Sequence, residues 1–238
     1  MNTDSLAVSG GQLVAEYLIK KNIAHVFTLS GGHITPIYQH LENSPVTIFD
    51  TRHEQAAVFM AEAWGKMTRT PGVAMVTAGP GFTNALTGIA SAYFSNTPLV
   101  LISGCVGLDC KEKLDLQDMD QQSVIAPMVK KTFVCHKTER VAEYMDLAFR
   151  TAAGGRPGPV YLEFPVDVLN AKVDRTAVKV LKTVVRSRPF DPENARQMLN
   201  MICKAKKPVV VAGTGIWQAG AESVLQNFVE KTGMPAFT

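Results

Sequence analysis

The chain is short of several things, and each shortage closes off a class of protein. It has four cysteines, Cys105, Cys110, Cys135 and Cys203. None stands in a CxxC spacing, which suits a reduced cytosolic chain better than a disulfide-stapled secreted one. No apolar run approaches the ~18 residues of a membrane helix, and the longest, around Pro98 to Gly104, has the length of a buried strand. The polar start MNTDSLAVSGG lacks the basic-then-apolar plan of a signal peptide. The expected place is therefore the cytoplasm, with no membrane partner. Charge of one sign is scarce as well. The 24 basic and 21 acidic residues leave a net charge of +3, with no block or stripe that would hold nucleic acid. Lys130-Lys131 and Lys204/Lys206/Lys207 read as solvated faces. Internal repeats and low-complexity segments are absent.

What is present is a regular alternation. With 238 residues and 46% hydrophobic content, the chain is globular and large enough for a sizeable core. Leu13, Val14, Tyr17 and Leu18 recur at helical spacing, then His25-Val26-Phe27-Thr28-Leu29 reads as a strand. A short helix near Pro36 to Leu41, a strand at 46–49 and a helix from about 54 follow. Next come strand Val73 to Thr77, the turn Ala78-Gly79-Pro80-Gly81, a helix from Phe82 to about Ser95, and strand Leu99 to Ile102. Strands separated by helices of this length predict an α/β fold: a parallel sheet with helices on both faces. Ligands of such sheets bind beyond the carboxyl ends of the strands. Ser30-Gly31-Gly32-His33, Thr51-Arg52-His53-Glu54, Ala78 to Gly81 and Ser103-Gly104 are expected on that rim. Residues 1–170 form this domain, 171–190 read as a linker, and 191–238 begin a second, Rossmann-like α/β domain. That domain starts with helix Glu193 to Cys203, strand Pro208 to Val211 and the turn Gly213-Thr214-Gly215. With roughly one βα step it is incomplete, so the sequence reads as the front portion of a longer protein.

Each motif has a plain reading beside a chemical one. Gly213-Thr214-Gly215 follows a strand, but position 218 is Gln where G-x-G-x-x-G has its third glycine, so a tight turn is favoured over a dinucleotide loop. Gly79-Pro80-Gly81 is either a strand-to-helix turn or a place where a ligand approaches the backbone closely. His33 alone could be a solvated loop residue, and Arg52 and His53 could be partners for Asp50. Glu54 opens a helix whose residues Ala56 to Trp64 look too continuously apolar for one wet face. A carboxylate in a first helical turn is favoured by the dipole. A buried one needs more, because desolvating a charge costs several kcal/mol unless it is paired or protonated. Held near neutrality, such an acid can hydrogen-bond a ring nitrogen and exchange a proton with it. Helix 82–95 is apolar or small around most of its circumference, which predicts packing against a second copy.

The stretches "TRHEQAAVFMAEAWGKMT", "VTAGPGFTNALTGIASAY", "PLVLISG", "LQDMDQ" and "GRPGPVYLEFPVDV" together resemble the amino-terminal, pyrimidine-binding domain of thiamine-diphosphate enzymes of the acetolactate synthase group. The likeness runs from about Ser9 to Asn170, and "KKPVVVAGTG" is similar to the opening of that group's central domain. Where the synthases end their second strand in Pro-Gly-Gly-Ala, this chain has Ser30-Gly31-Gly32-His33. That variant, with Leu116-Gln117 and Ala126-Pro127, resembles benzaldehyde lyase and the 2-hydroxyacyl-CoA lyases. The resemblance implies thiamine diphosphate as cofactor. Glu54 would hydrogen-bond N1′ of its aminopyrimidine, favouring the tautomer that activates the thiazolium. Gly31, Gly32, Gly79, Pro80, Gly81 and Asn84 would flank the pyrimidine. Gln117 would neighbour the bound intermediate, His33 would relay a proton at the substrate hydroxyl, and Lys130 matches a lysine of the synthases. It implies Mg²⁺ held by residues of a further domain, with no metal ligand in this stretch, and gives no support here for FAD. It also implies a homodimer or dimer of dimers. The substrate would be a small 2-oxo acid such as pyruvate, or a 2-hydroxy ketone or acyl-CoA for a lyase. Outside the family, a Rossmann-like nucleotide-binding or oxidoreductase module would need the Gly213 turn to bind a dinucleotide and would leave Glu54 unexplained; a non-catalytic assembly subunit is a third reading.

Overall fold

A computed structural model describes residues 7–179 and 191–238; residues 180–190 of the expected linker lie outside the described residues. The chain divides into two compact units between residues 182 and 183. In the first, β1 (Ala7–Ser9) leads into α1 (Gly10–Lys20), β2 (His25–Thr28), α2 (Thr35–Leu41), β3 (Thr47–Asp50), α3 (Glu54–Thr68), β4 (Gly72–Val76), α4 (Pro80–Phe94) and β5 (Leu99–Cys105). A loop then reaches α5 (Gln121–Ile125), β6 (Thr132–Val134), α6 (Val141–Ala153), β7 (Pro159–Pro165), α7 (Val166–Asn170) and β8 (Lys172–Asp174).

Six strands form one sheet in the order β3-β2-β4-β5-β7-β6, with every neighbouring pair parallel. β4, β5 and β7 are buried along their whole length, as strands covered on both faces must be. Alternate side chains go to opposite faces. Val73, Met75, Val100, Ile102, Val160 and Leu162 join Val14 and Leu18 of α1, Ile37 of α2 and Met145 of α6 in one core. Ala74, Val76, Leu99, Leu101 and Tyr161 join Ala57 and Val58 of α3 and Phe82, Ala85 and Ile89 of α4 in the other. β3 lies to one side of β2 and β4 to the other, so the connections after β2 and β4 depart to opposite faces. A crevice opens between them at the carboxyl ends of the strands, the place where parallel sheets bind ligands.

Two expectations change. Residues 172–178 do not run free of the first unit: β8 pairs antiparallel with β1, and Arg175 makes two hydrogen bonds to Glu16 at 2.7 and 2.8 Å. Helix α3 does have an open face. Ala57, Val58 and Ala61 are buried while Phe59, Met60 and Met67 are exposed, because one side of the helix meets the sheet and α4 and the other has no cover from the described residues.

The second unit consists of α8 (Pro192–Lys204), β9 (Val210–Val211), α9 (Thr214–Gln218), α10 (Glu222–Thr232) and β10 (Ala236–Phe237). β9 and β10 pair in parallel over two residues each, shorter than the strand expected from Pro208. Among its described residues Met234 alone is buried, since two strands cannot close a core.

Candidate functional site

The site is assembled at the crevice from the ends of four strands. After β3, Thr51 donates its hydroxyl to the Thr28 and His53 carbonyls, both at 3.0 Å. This folds the chain back sharply, and the His53 ring then caps α3 by accepting the Gln55 N–H at 3.2 Å. Of the two partners expected for Asp50, Arg52 pairs with it at 3.0 Å, and His53 is used as the cap. Glu54 thereby becomes the first residue of α3. The residue is 7% exposed, and its Oε2 accepts from Asn84 Nδ2 of α4 at 2.9 Å.

The glycine turn after β4 brings the backbone under that carboxylate. Gly79 has φ +63°, ψ −115°, a conformation that costs any other residue, and Pro80 with its fixed φ starts α4. A Cβ on Gly81 would stand 2.8 Å from Thr77 Cγ2 and 3.2 Å from Glu54 Oε1. A Cβ on Gly31 would meet Thr77 Cβ at 2.4 Å, and one on Gly104 would meet His33 Cβ at 2.4 Å. These contacts join Glu54, Gly81, Thr77 and Gly31 on one side and His33 and Gly104 on the other, and the Thr77 hydroxyl, near His33 Nδ1, links the two sets. Gly32 differs: it is exposed, with nothing within 4 Å of its missing side chain.

His33 is half-buried, and its Nδ1 lies 3.2 Å from the Thr77 hydroxyl. Burial lowers its pKa below the ordinary 6.5, against a weaker upward pull from the Asp115 carboxylate. The imidazole is accordingly neutral at pH 7 and available as a base. Gln117 enters from the loop after β5 with φ +67°. Its Cβ and Cγ lie 2.9 and 3.0 Å from where a Gly79 Cβ would be, so its side chain packs on the glycine turn. Behind it, Gln121 is 1% exposed and accepts the Gly79 N–H at 2.9 Å.

Lys130 is the one matched residue that goes elsewhere. Its ammonium bonds the Thr151 and Gly154 carbonyls, the latter at 2.6 Å, and so caps the end of α6. Thr51, Thr77 and Gln121 were not singled out from sequence. Thr77 had a signal, since it directly precedes the glycine turn at the end of β4. Gln121 closes the stretch "LQDMDQ", but nothing in the pattern shows that its amide turns inward.

The chemistry of the donor set suits a heteroaromatic ring, because a buried carboxyl at the rim, fixed by Asn84, can meet a ring nitrogen. Thiamine diphosphate carries such a ring, its aminopyrimidine. The hollow of about 650 Å³ in the second unit is of another kind. It is lined by apolar side chains such as Trp217, Leu225 and Val229, with the carboxylate of Glu222, a poor setting for phosphates. Among the described residues no group of three or more His, Cys, Asp or Glu could hold a metal ion, and no helix is long and apolar enough to cross a membrane.

Comparison with known proteins agrees with the geometry. The N-terminal TPP binding domain of the thiamine pyrophosphate enzymes matches residues 8–124, and the central domain of the same enzymes matches residues 195–238. The acetolactate synthase large subunit of Buchnera aphidicola subsp. Acyrthosiphon pisum is 35% identical over 238 residues, covering 97% of this chain and 41% of that protein. The isozyme 3 large subunit of Escherichia coli acetolactate synthase is 36% identical over 235 residues, with 96% and 41% covered. The 2-hydroxyacyl-CoA lyase 2 of Danio rerio is 42% identical over 160 residues, or 67% of this chain and 26% of the lyase. The chain thus spans about two fifths of the length of the synthase subunits it matches. With both domain patterns in their order and the glycine turn and buried glutamate at the sheet's rim, the chain belongs to the thiamine pyrophosphate enzyme family.

Proposed function

We propose that this chain supplies the pyrimidine-side half of a thiamine-diphosphate active site that makes or breaks a C–C bond next to a carbonyl. The favoured reaction is an acetolactate-synthase-like condensation of 2-oxo acids such as pyruvate. The observation that carries the proposal is Glu54: a buried carboxyl at the head of α3, tied to Asn84 and lying over the side-chain-free surface of Gly81. When bound, thiamine diphosphate supplies a nucleophilic carbon and then an electron sink for the reacting carbonyl carbon. The chain's own residues do the rest. Glu54 holds a proton at the pyrimidine N1′ atom, Asn84 fixes the carboxyl, and Gly79, Pro80 and Gly81 let the ring lie against backbone. Gln117 borders the same space. The diphosphate and its Mg²⁺ are assigned to residues outside this chain.

Several further assignments belong to the same proposal. The exposed apolar side chains of α3 and α4, Phe59, Met60, Met67, Tyr93 and Phe94, form the surface on which a second copy would dock. A homodimer or a dimer of dimers is therefore proposed, in the cytoplasm. Light scattering at tens of micromolar that returned a monomer would end that part.

Glu54→Gln in the complete enzyme tests the cofactor reading. The amide cannot exchange the proton at N1′, and turnover and proton exchange at the bound cofactor's C2 are expected to fall together by ~10²–10⁴-fold. Unchanged C2 exchange would reduce Glu54 to a helix-dipole residue. A second reading, cleavage of a 2-hydroxyacyl thioester, is favoured by His33, a neutral base at the rim where the substrate hydroxyl would be deprotonated. Acetolactate formation and 2-hydroxyacyl-CoA cleavage, assayed side by side on wild type and His33→Ala, separate the two. Loss of cleavage alone selects the lyase, and robust synthesis without any cleavage rules it out.

A further inference from the structure

A buried polar network lies behind the site and is not needed for any step above. Gln121, at the start of α5, ties three strand ends together through one side chain. Its Oε1 accepts the Gly79 N–H at 2.9 Å. Its Nε2 faces the Gly104 carbonyl at 3.1 Å, the Tyr161 hydroxyl at 3.0 Å and Glu163 Oε2 at 3.2 Å. Tyr161 in turn donates to Glu163 Oε2 at 2.7 Å. Gln121, Tyr161 and Glu163 are 1%, 0% and 2% exposed. Such a network is retained only when its members satisfy one another, because each unpaired buried group is costly. An amide is the group suited to this position, since it must accept on one side and donate on the other.

Gly79 is the consequential partner. It is the N-cap of α4, and its carbonyl accepts the Thr83 N–H at 2.9 Å, an opening bond of the helix. No side chain caps that end. What holds the turn is the Gln121 bond on its N–H, with the Gln117 side chain filling the space beside Gly79 where a Cβ would stand. One turn further along α4 is Asn84, which grips Glu54. A continuous chain of contacts runs from Gln121 through Gly79 and α4 to the Glu54 carboxyl.

We infer that Gln121 is a positioning residue: its amide locks the left-handed turn at Gly79 and thereby sets where Gly81 and Asn84 stand beneath and beside Glu54. This rests on the reading of Gly79–Gly81 as the seat of the pyrimidine.

The test is native-state amide exchange by NMR on the full chain, comparing wild type with Gln121→Met and Tyr161→Phe. Both variants lose hydrogen bonds of the same buried network, but only Gln121→Met removes the acceptor from Gly79. In Gln121→Met, exchange at Gly79 is expected to accelerate about tenfold or more relative to the amides of β5; in Tyr161→Phe that ratio stays as in wild type. A Gly79 amide that remains protected in Gln121→Met, or that accelerates equally in both variants, overturns the proposal. If Gln121→Met does not fold, Gln121→Asn, a shorter amide unable to reach Gly79, is read by the same criteria. In the complete enzyme, which carries the residues assigned to the diphosphate, thiamine diphosphate added with Mg²⁺ separates this inference from the reading beneath it. Shifts of the Gly81 and Asn84 amides in wild type, with affinity about tenfold weaker in Gln121→Met and unchanged in Tyr161→Phe, support both. No shift in wild type counts against the pyrimidine seat, and the Gly79 exchange ratios still decide whether Gln121 locks the turn.

Discussion

The two glycine turns of this chain, Gly79-Pro80-Gly81 and Gly213-Thr214-Gly215, look alike in sequence and differ in backbone conformation and in surroundings once folded. Each follows a strand and opens a helix. Around the first, a Cβ would strike Gln117, Thr77 or Glu54 at 2.8 to 3.2 Å; around the second, Gly213 and Gly215 have nothing within 4 Å. The first turn has a backbone conformation reserved for glycine, while Gly213 sits at φ −94°. A Gly-x-Gly turn becomes a binding seat when neighbouring elements close on it. In the first unit a six-stranded sheet with helices on both faces does so. In the second, two paired strands leave Val211, Val224 and Phe237 more than half exposed.

That contrast can be broken by substitution. The largest effect is expected in the sheet itself. Leu101→Ala, at a fully buried position of β5, should cost ~2–5 kcal/mol in chemical denaturation. Val211→Ala, at 79% exposure, should stay within ~0.5 kcal/mol. Equal costs would mean that the second unit has a core the burial pattern does not reveal.

The turns themselves come next. Gly81→Ala must displace Thr77 or the Glu54 carboxyl, and should destabilise by ~1–3 kcal/mol while weakening thiamine diphosphate binding. Gly215→Ala, in open space within α9, should be neutral or stabilising by up to ~1 kcal/mol, because alanine has less freedom to lose on folding. Thermal melts of the two variants decide the matter, and a destabilising Gly215→Ala would undo the comparison.

The smallest effect concerns His33, which has no counterpart in the second unit. Burial holds its pKa below 6.5, and Asp115 opposes that shift. An NMR titration should therefore give a midpoint below 6.5, and Asp115→Asn should lower it further. The sign for stability follows from linkage. The unfolded chain takes up this proton first, so His33's contribution is intact above pH ~6.5 and is lost on acidification below it. A midpoint above 6.5 would mean that His33 is not desolvated at the rim.

Much of the first unit was legible in the sequence because its signals are local. Strands such as Val73 to Val76 are wholly apolar since both sides are covered, and the helices between them have the length a right-handed crossover needs. The rim rule then located the loops bearing His33, Glu54, Gly79 and Gly104 without any coordinates. The turn at Gly79 and the placement of Glu54 in a first helical turn likewise follow from residue type and spacing.

Other features were decided only by the tertiary structure, because they depend on which elements become neighbours. Lys130 matches a lysine of the synthases in the resemblance, yet the end of α6 comes close enough to take its ammonium. His53 could pair with Asp50 or cap α3, and the sharp turn pinned by Thr51 settled it as the cap. The apolar run of α3 gave no sign of which residues would stay uncovered, since that depends on where α4 and the sheet meet it. Gln121 is the clearest case. Glutamine is usually a surface residue, and its burial here becomes favourable only because Gly79, Gly104, Tyr161 and Glu163, spread over 85 residues of chain, bring donors and acceptors to one point that a single amide can satisfy.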